Sequence, residues 1–346
     1  MIMVLLHHAA VPGNGWILAF HMPLFFLLTG YLESFHEKQQ SFLQTVKGKL
    51  VRLVLPYFLF EAILFVVYHL WMSQDFDGQN LLQAVRCVIL CSSDGYTGFY
   101  GRLWFWPCMF MADLYFWGIR KITREKQAGL WLAAAGMLAA TWGTIHLIPG
   151  RLPFAADNAC MGTVFIIIGY ALRKEIRWIL EQKHWFADTA ICMTALLGMR
   201  LCVRYGQGVF LMHANRYGPL LWSAGGAFCG CAAFLVLGKW MYHLLNRIGV
   251  GKKLVLWYGT NSLAVFPVHL AIKTVIADIL FYWVLSSDIG ILLRYSEQLI
   301  AWYVLFPAML LGSIPIVNII TLYMPFLLGK MPNWRKNALE SKVIDK

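Results

Sequence analysis

The sequence predicts an all-α fold, a polytopic transmembrane helical bundle of about ten spans. Three observations predict it. The chain of 346 residues is 60% hydrophobic and 13% charged, whereas soluble domains are roughly 45–50% apolar and about 25% charged. Apolar runs of about 20 residues, each able to cross a ~30 Å hydrocarbon core, recur along the whole chain. The 29 basic residues are also unevenly placed, with 21 of them in alternate connections and the C-terminal tail. Basic residues favour cytoplasmic loops, so both termini are expected in the cytoplasm and the span count is even.

The spans read near 1–12, 16–33, 51–72, 102–119, 128–147, 155–172, 184–203, 218–241, 256–284 and 298–329. The first runs short. Only about ten apolar residues precede "VPGNG", roughly 15 Å of helix where about 30 Å is required. There is no basic segment or small-residue cleavage site to make it a signal peptide, so a longer reading frame is expected to continue upstream with apolar residues. The second span, "AFHMPLFFLLTGYLE", is followed by Lys38, Lys47, Lys49 and Arg52. The third leads into the longest connection, Ser73 to Gly101, with Asp75, Asp77, Asp94 and the Gly- and Tyr-rich "SSDGYTGFYG". After the fourth come Arg120, Lys121, Arg124 and Lys126, and after the sixth Arg173, Lys174, Arg177 and Lys183. Lys239, Arg247, Lys252 and Lys253 mark the turn from the eighth span to the ninth. Pro267 is expected to bend the ninth, because it leaves the Leu263 carbonyl without a partner. The tenth ends at a basic tail.

This charge pattern is a topology signal, and the net charge of +12 carries no nucleic-acid footprint. Six of the eight cysteines lie in or beside apolar runs, where a thiol packs as a small hydrophobe. Cys87 and Cys91 alone stand where a disulfide is conceivable, and their i, i+4 spacing suits one poorly. No zinc spacing occurs, and no metal is expected. "GVGKK" lacks the Ser or Thr and the earlier Gly of a phosphate loop.

Ionisable groups inside a membrane are costly and usually face the bundle interior. His7, His8 and His21 are therefore candidates, each against the plainer reading of a hydrogen-bonded structural contact. His8 is the strongest, since a helix continued upstream puts it near mid-membrane. An imidazole with an unperturbed pKa of about 6.5 can take a proton from a hydroxyl there. In the ninth span Ser262, Phe266, His269 and Lys273 share one helical face with Asn261 beside them. That face either lines a cavity or holds helices together by hydrogen bonds. Lys47, Lys49 and Arg52 can grip phosphates, or serve as a plain cytoplasmic anchor.

The motifs "VLLHHA", "FHMPLFFLLTGYL", "KLVRLVLPYF", "RLWFWPCMF", "LPFAADNACMGTVFIIIGYALRK" and "LWYGTNSLAVFPVHL" occur in this order over nearly the whole chain. Together they resemble integral-membrane acyltransferase family 3, and within it the fucose 4-O-acetylase-like O-acetyltransferases. The resemblance implies an integral-membrane acyltransferase domain over residues 1–330 and a cytoplasmic tail over 331–346. It implies acyl transfer, usually of acetyl, from cytoplasmic acyl-CoA to a hydroxyl of a sugar or cell-surface glycan. His8 matches the family's first-helix His. The Arg that precedes it by eleven positions falls ahead of Met1, and His7 replaces the usual Gly. The family's Arg-x-x-Arg element falls on Lys49 and Arg52, where Lys keeps charge but not the bidentate fork. Trp104 and Asp157 lie in matching segments without an assigned role.

The implied mechanism has acyl-CoA phosphates at Lys49 and Arg52, with His8 as general base or as an acyl carrier. His21, Asn261, Ser262 and His269 would orient the acceptor or polarise the carbonyl. No tightly bound cofactor is expected, and acetyl-CoA is a donor substrate. Expected partners are membrane lipids, the glycan acceptor and polysaccharide-assembly proteins, in a bacterial inner membrane. The alternatives are a transporter or flippase of a glycan precursor, against which no two-fold repeat is visible, and a sensory or assembly partner without catalysis.

Overall fold

A computed structural model describes residues 1–9, 11, 13–36, 39–72, 78–92, 101–206, 210–249, 251–279 and 297–330. The first elements are α1 (Ile2–His8), α2 (Asn14–Glu33), α3 (Phe42–Lys49), a π-turn (Leu50–Val54) and α4 (Leu55–Met72). Next come α5 (Gly78–Leu90), α6 (Phe105–Thr123), α7 (Gln127–His146), α8 (Ala156–Ala171), α9 (Arg173–Glu181) and α10 (Trp185–Tyr205). A small antiparallel pair, β1 (Phe210–Leu211) and β2 (Arg216–Tyr217), precedes α11 (Leu220–Ile248). The chain then runs through α12 (Lys252–Thr260), α13 (Ser262–Ile279) and α14 (Glu297–Tyr323).

The chain folds as an all-α polytopic bundle, as its composition predicts. Among the described residues six helices are long and apolar enough to cross a membrane, and the bent pair α12–α13 is a seventh. The other three expected segments are helical too. They form α1, of 7 residues, α4, of 18, and α6, of 19, which carries Asp113, Arg120 and Lys121.

The structure departs from expectation in two places. The long connection after the third span contains a helix, α5, whose Leu81, Leu82, Val85 and Ile89 are exposed. Asp75, Asp77, Asp94 and the 331–346 tail lie outside the described residues. In the ninth span Pro267 sits inside a continuous α13, and the chain bends by 95° at Asn261 instead. Side-chain hydrogen bonds cluster at the break. Thr260 Oγ1 donates to the Leu256 and Trp257 carbonyls, both at 3.1 Å, and Asn261 Nδ2 donates to Trp257 at 3.0 Å. Hydroxyl and amide groups so placed compete with backbone donors for helix carbonyls. No disulfide joins cysteines among the described residues.

The chain divides into two compact units. The larger comprises Gly15–Lys49 and Tyr68–Lys252. Its α2 and α8 meet through reciprocal glycines: a Cβ on Gly30 would overlap the Ile166 carbonyl, and one on Gly169 the Leu27 carbonyl. With lipid as apolar as the side chains, such close approach supplies the association by van der Waals packing. At one end of these helices Arg120, 3% exposed, donates to Glu33 at 2.9 Å and to Glu125 at 2.7 Å. Its guanidinium stacks 5.0 Å from the Tyr170 ring centroid, and the Tyr170 hydroxyl closes the cluster on Glu125 at 2.6 Å. Burial pushes the Glu125 carboxyl up, but the hydrogen bonds from Tyr170 and Arg120 outweigh it and hold it below its ordinary value.

In the same unit Lys239 on α11 caps the end of α9. Its ammonium donates to the Ile179 and Gln182 carbonyls at 2.9 and 2.5 Å and pairs with Asp188 at 2.9 Å. A cation at the negative end of a short helix satisfies carbonyls that have no intrahelical donor.

The smaller unit comprises Met1–Asn14, Leu50–Val67 and Lys253–Lys346. Here α13 packs on α14, with Ile272 Cδ1 lying 3.3 Å from where a Gly312 Cβ would stand. The Tyr258 hydroxyl donates to the Leu310 carbonyl. α1 lies against both α13 and α14, with Val4, Leu5 and Ala9 buried. The π-turn has a local cause as well: Pro56 has no N–H to offer the Arg52 carbonyl, so a regular helical turn cannot close there.

Candidate active site

The smaller unit gathers three imidazoles. His8, at the end of α1, has its ring centroid 5.0 Å from that of His7 and 5.0 Å from that of His269 on α13. His269 is fully buried, and its Nδ1 contacts the Val265 carbonyl at 3.0 Å. A carbonyl only accepts, so Nδ1 carries the hydrogen and Nε2 holds the lone pair in the neutral ring. That Nε2 has no hydrogen-bond partner among the described residues. An unsatisfied acceptor at a fully buried position is costly and is what a site awaiting a donor group displays. His7 contacts Asn14 Oδ1 at 2.6 Å, which fixes the ring beside His8. Phe266 flanks His269 at 5.8 Å, and Lys273 is one turn further along the helix, half-buried and within electrostatic reach of His7 and His269.

The remaining candidates are distributed differently. Asn261 and Ser262 stand at the α12–α13 break, half-buried, with the Asn261 amide committed to the Trp257 carbonyl. His21 belongs to the larger unit, is 3% exposed, and donates from Nδ1 to the Ile17 carbonyl of its own helix at 2.8 Å. Of the basic pair, Lys49 contacts the buried Asp113 carboxylate at 2.6 Å. Arg52 is exposed in the π-turn, beside Gly329, where a Cβ would overlap the Val51 carbonyl. Trp104 occupies the N-cap position of α6. Asp157, 1% exposed, is held by Arg151 at 2.5 Å.

A histidine cluster, a carboxylate-paired lysine and an exposed arginine on a polytopic bundle are compatible with several chemistries, and comparison with known proteins decides among families. A family model described as an acyltransferase domain, acyltransferase family 3, matches residues 1–318. The chain belongs to this family. Among curated proteins it is similar to the nodulation protein NolL of Mesorhizobium japonicum, 29% identical over 150 residues. That match covers 43% of this chain and 37% of the relative, so it spans little more than a third of the relative's length. No solved structure matches. The family model covers all three imidazoles as well as Lys49, Arg52, Asn261 and Ser262.

Two groups escaped the sequence reading. Asn14 stood in "VPGNG", which reads as a helix break and hides a side chain seven residues from His7. Asp113 lay inside an apolar run, where its charge was the only signal. Its partner, Lys49, was visible only as one of a basic cluster.

Proposed function

We propose that this acyltransferase-family chain moves an acetyl or other acyl group from cytoplasmic acyl-CoA to a hydroxyl of a sugar or cell-surface glycan. It does so in a bacterial inner membrane, with both termini in the cytoplasm. The observation that carries this reading is the His8–His269 pair, with centroids 5.0 Å apart and an unpartnered buried Nε2. Two imidazoles in contact can hold and pass a proton, which acyl transfer to an alcohol requires.

In this mechanism the acceptor hydroxyl gives its proton to His8 as its oxygen attacks the thioester carbonyl. The tetrahedral intermediate collapses, the C–S bond breaks, and the CoA thiolate leaves with the proton from the imidazolium. His7, held by Asn14, keeps the cluster in place. His269 accepts a hydrogen bond at Nε2 from the acceptor or from His8. Arg52 is the exposed cation for the CoA phosphates, and Lys49 joins it by exchanging Asp113 for phosphate oxygen. Asn261 and Ser262 lie at the helix break, eight and seven residues before His269, where they can contact the acceptor.

The transporter reading draws on one observation, the α12–α13 pair bent by 95°, since broken helices recur in transporters. One experiment separates the two. Membrane vesicles holding the full chain are given acetyl-labelled acetyl-CoA, and label is followed into glycan. Transfer that falls by at least 10²-fold in His8→Ala, at equal protein level, supports the mechanism. Undiminished transfer in that variant removes His8 from it, and CoA-independent movement of glycan without label supports the transporter.

A further inference from the structure

The larger unit contains an open cleft of about 580 Å³, within the range of small-ligand sites. Its lining includes Arg86 and Gln83 from α5, Thr144 from α7, Arg151 from the following loop, and Asn215 and Arg216 from the β1–β2 connection. The lining is tripositive and contains no carboxylate. Arg151 is already neutralised by Asp157 and donates to the His213 carbonyl at 2.7 Å. Arg86 and Arg216 are exposed, and neither has an acidic partner among the described residues. All three are among the eight basic residues that the charge bias assigns to the side opposite the cytoplasm. They therefore stand out against the topology signal, which would otherwise empty that side of positive charge.

A second, independent feature narrows the ligand. Thr144 Oγ1 donates its hydrogen to the Thr141 carbonyl at 2.9 Å, so it can only accept from Asn215, 3.1 Å away. That fixes Asn215 with its Nδ2 toward Thr144. Its Oδ1 is left as a buried acceptor without a partner among the described residues, on a residue 7% exposed. The backbone holds it there in the left-handed region, φ +50°, which asparagine tolerates better than most residues. A carboxylate or a fully ionised phosphate ester has nothing to donate to Oδ1. A sugar hydroxyl does.

We infer that this cleft binds an anionic carbohydrate, a glycan bearing a carboxylate or phosphate group. The oxyanion sits in the forks of Arg86 and Arg216, and a ring hydroxyl donates to Asn215 Oδ1. The inference rests on the acyl-transfer reading only in naming this glycan as the acceptor; the binding itself is independent of it. Arginine suits the task because its planar fork pairs bidentately with oxyanions.

The test uses the full chain in phosphatidylcholine nanodiscs, titrated with four probes: cellobiouronic acid, cellobiose 6-phosphate, cellobiose and inorganic phosphate. Expected is binding of one or both charged disaccharides at least tenfold tighter than either cellobiose or inorganic phosphate. Which of the two binds tells carboxylate from phosphate. The combined Arg86→Gln and Arg216→Gln variant should lose at least tenfold in that affinity with an unchanged unfolding temperature, since both side chains are exposed. Equal affinity for cellobiose, equal affinity for inorganic phosphate, no binding of any probe at millimolar concentration, or an unaffected variant would each overturn the inference. So would loss of sugar binding when phosphatidylglycerol is added to the disc, which assigns the cleft to a lipid headgroup. Charged-sugar binding without acyl transfer leaves the cleft standing and removes the transferase reading. Acyl transfer that proceeds undiminished in the double variant leaves the transferase reading standing and removes only the naming of this glycan as its acceptor.

Discussion

Replacing Lys239 with methionine isolates one buried charge pair. The Lys239 and Asp188 side chains are 6% and 4% exposed, and the ammonium also serves the two carbonyls at the end of α9. Methionine keeps the length and removes the charge, leaving a buried carboxylate with the Gln182 amide but no cation, and two half-buried carbonyls without their donor. Losing one member of such a pair costs about 3–5 kcal/mol. At roughly 2–4 °C per kcal/mol for a unit of this size, the unfolding temperature should drop by roughly 6–20 °C. The assay is built into the protein. Cys108, Cys160, Cys192 and Cys231 are buried thiols, so a thiol-reactive fluorophore in mild detergent reports unfolding as they become accessible. Asp188→Asn should cost about half as much, because Lys239 keeps both carbonyls and a neutral acceptor. Adding Asp188→Leu to Lys239→Met should recover part of the loss by removing the stranded carboxylate. Should Lys239→Met melt with the parent, or the double variant melt below the single, the buried-pair argument fails.

Gly30→Ala and Gly169→Ala should each separate α2 from α8 and lower the unfolding temperature by several degrees, whereas Gly136→Ala, where a Cβ meets open space, should leave it unchanged or raise it. Reactivity of folded protein toward a bulky maleimide should be confined to the half-buried Cys202 and Cys229, read by mass spectrometry of labelled peptides. Glu125 makes the fold acid-sensitive. Its carboxyl titrates lower in the folded chain than in the unfolded one, so its stabilisation is complete above the ordinary carboxylate range and is lost as pH falls through the folded value. Glu125→Gln should flatten the acid limb of an unfolding-temperature profile, and an unchanged limb would exclude this carboxyl as its source. His269→Gln should cut acyl transfer while leaving the unfolding temperature within a few degrees, because Gln offers an amide where Nε2 stood; full activity would separate the buried imidazole from the chemistry.

The membrane class was legible because it depends on bulk composition, and each of the ten expected segments is helical. What failed to read was where polar side chains redirect the backbone. Pro267 suggested a bend by its missing donor, but one lost hydrogen bond inside a well-packed helix is tolerated, and the break falls instead where Thr260 and Asn261 place side-chain donors on the Leu256 and Trp257 carbonyls. α5 was hidden because its apolar residues are interspersed with Gln83 and Arg86, too polar to read as a span. The candidate site was half legible. His8 and His269 were picked from separate helices as costly residues in apolar surroundings, and they touch. His21 was picked on the same ground, and its Nδ1 is tied to its own helix. Intramembrane cost flags a polar residue without telling a function from a local hydrogen bond.

That distinction recurs wherever this chain buries polarity. Thr29, Thr123, Thr163 and Ser313 each return a hydroxyl to a carbonyl three or four residues back, which hides the group at little cost. His21 does the same. His269 likewise ties Nδ1 to its own helix, and its Nε2 is buried without a partner among the described residues. The free acceptor on His269 therefore needs a partner from outside its own helix, and the ring found against it is His8. The same reasoning applies to Asn215, whose Nδ2 is spent on Thr144 while Oδ1 waits. In each case one end of a two-ended polar group is tied to the fold and the other is left buried and unmatched. Substituting either residue with a side chain that keeps only the tied end should leave the helix intact and take away the ligand.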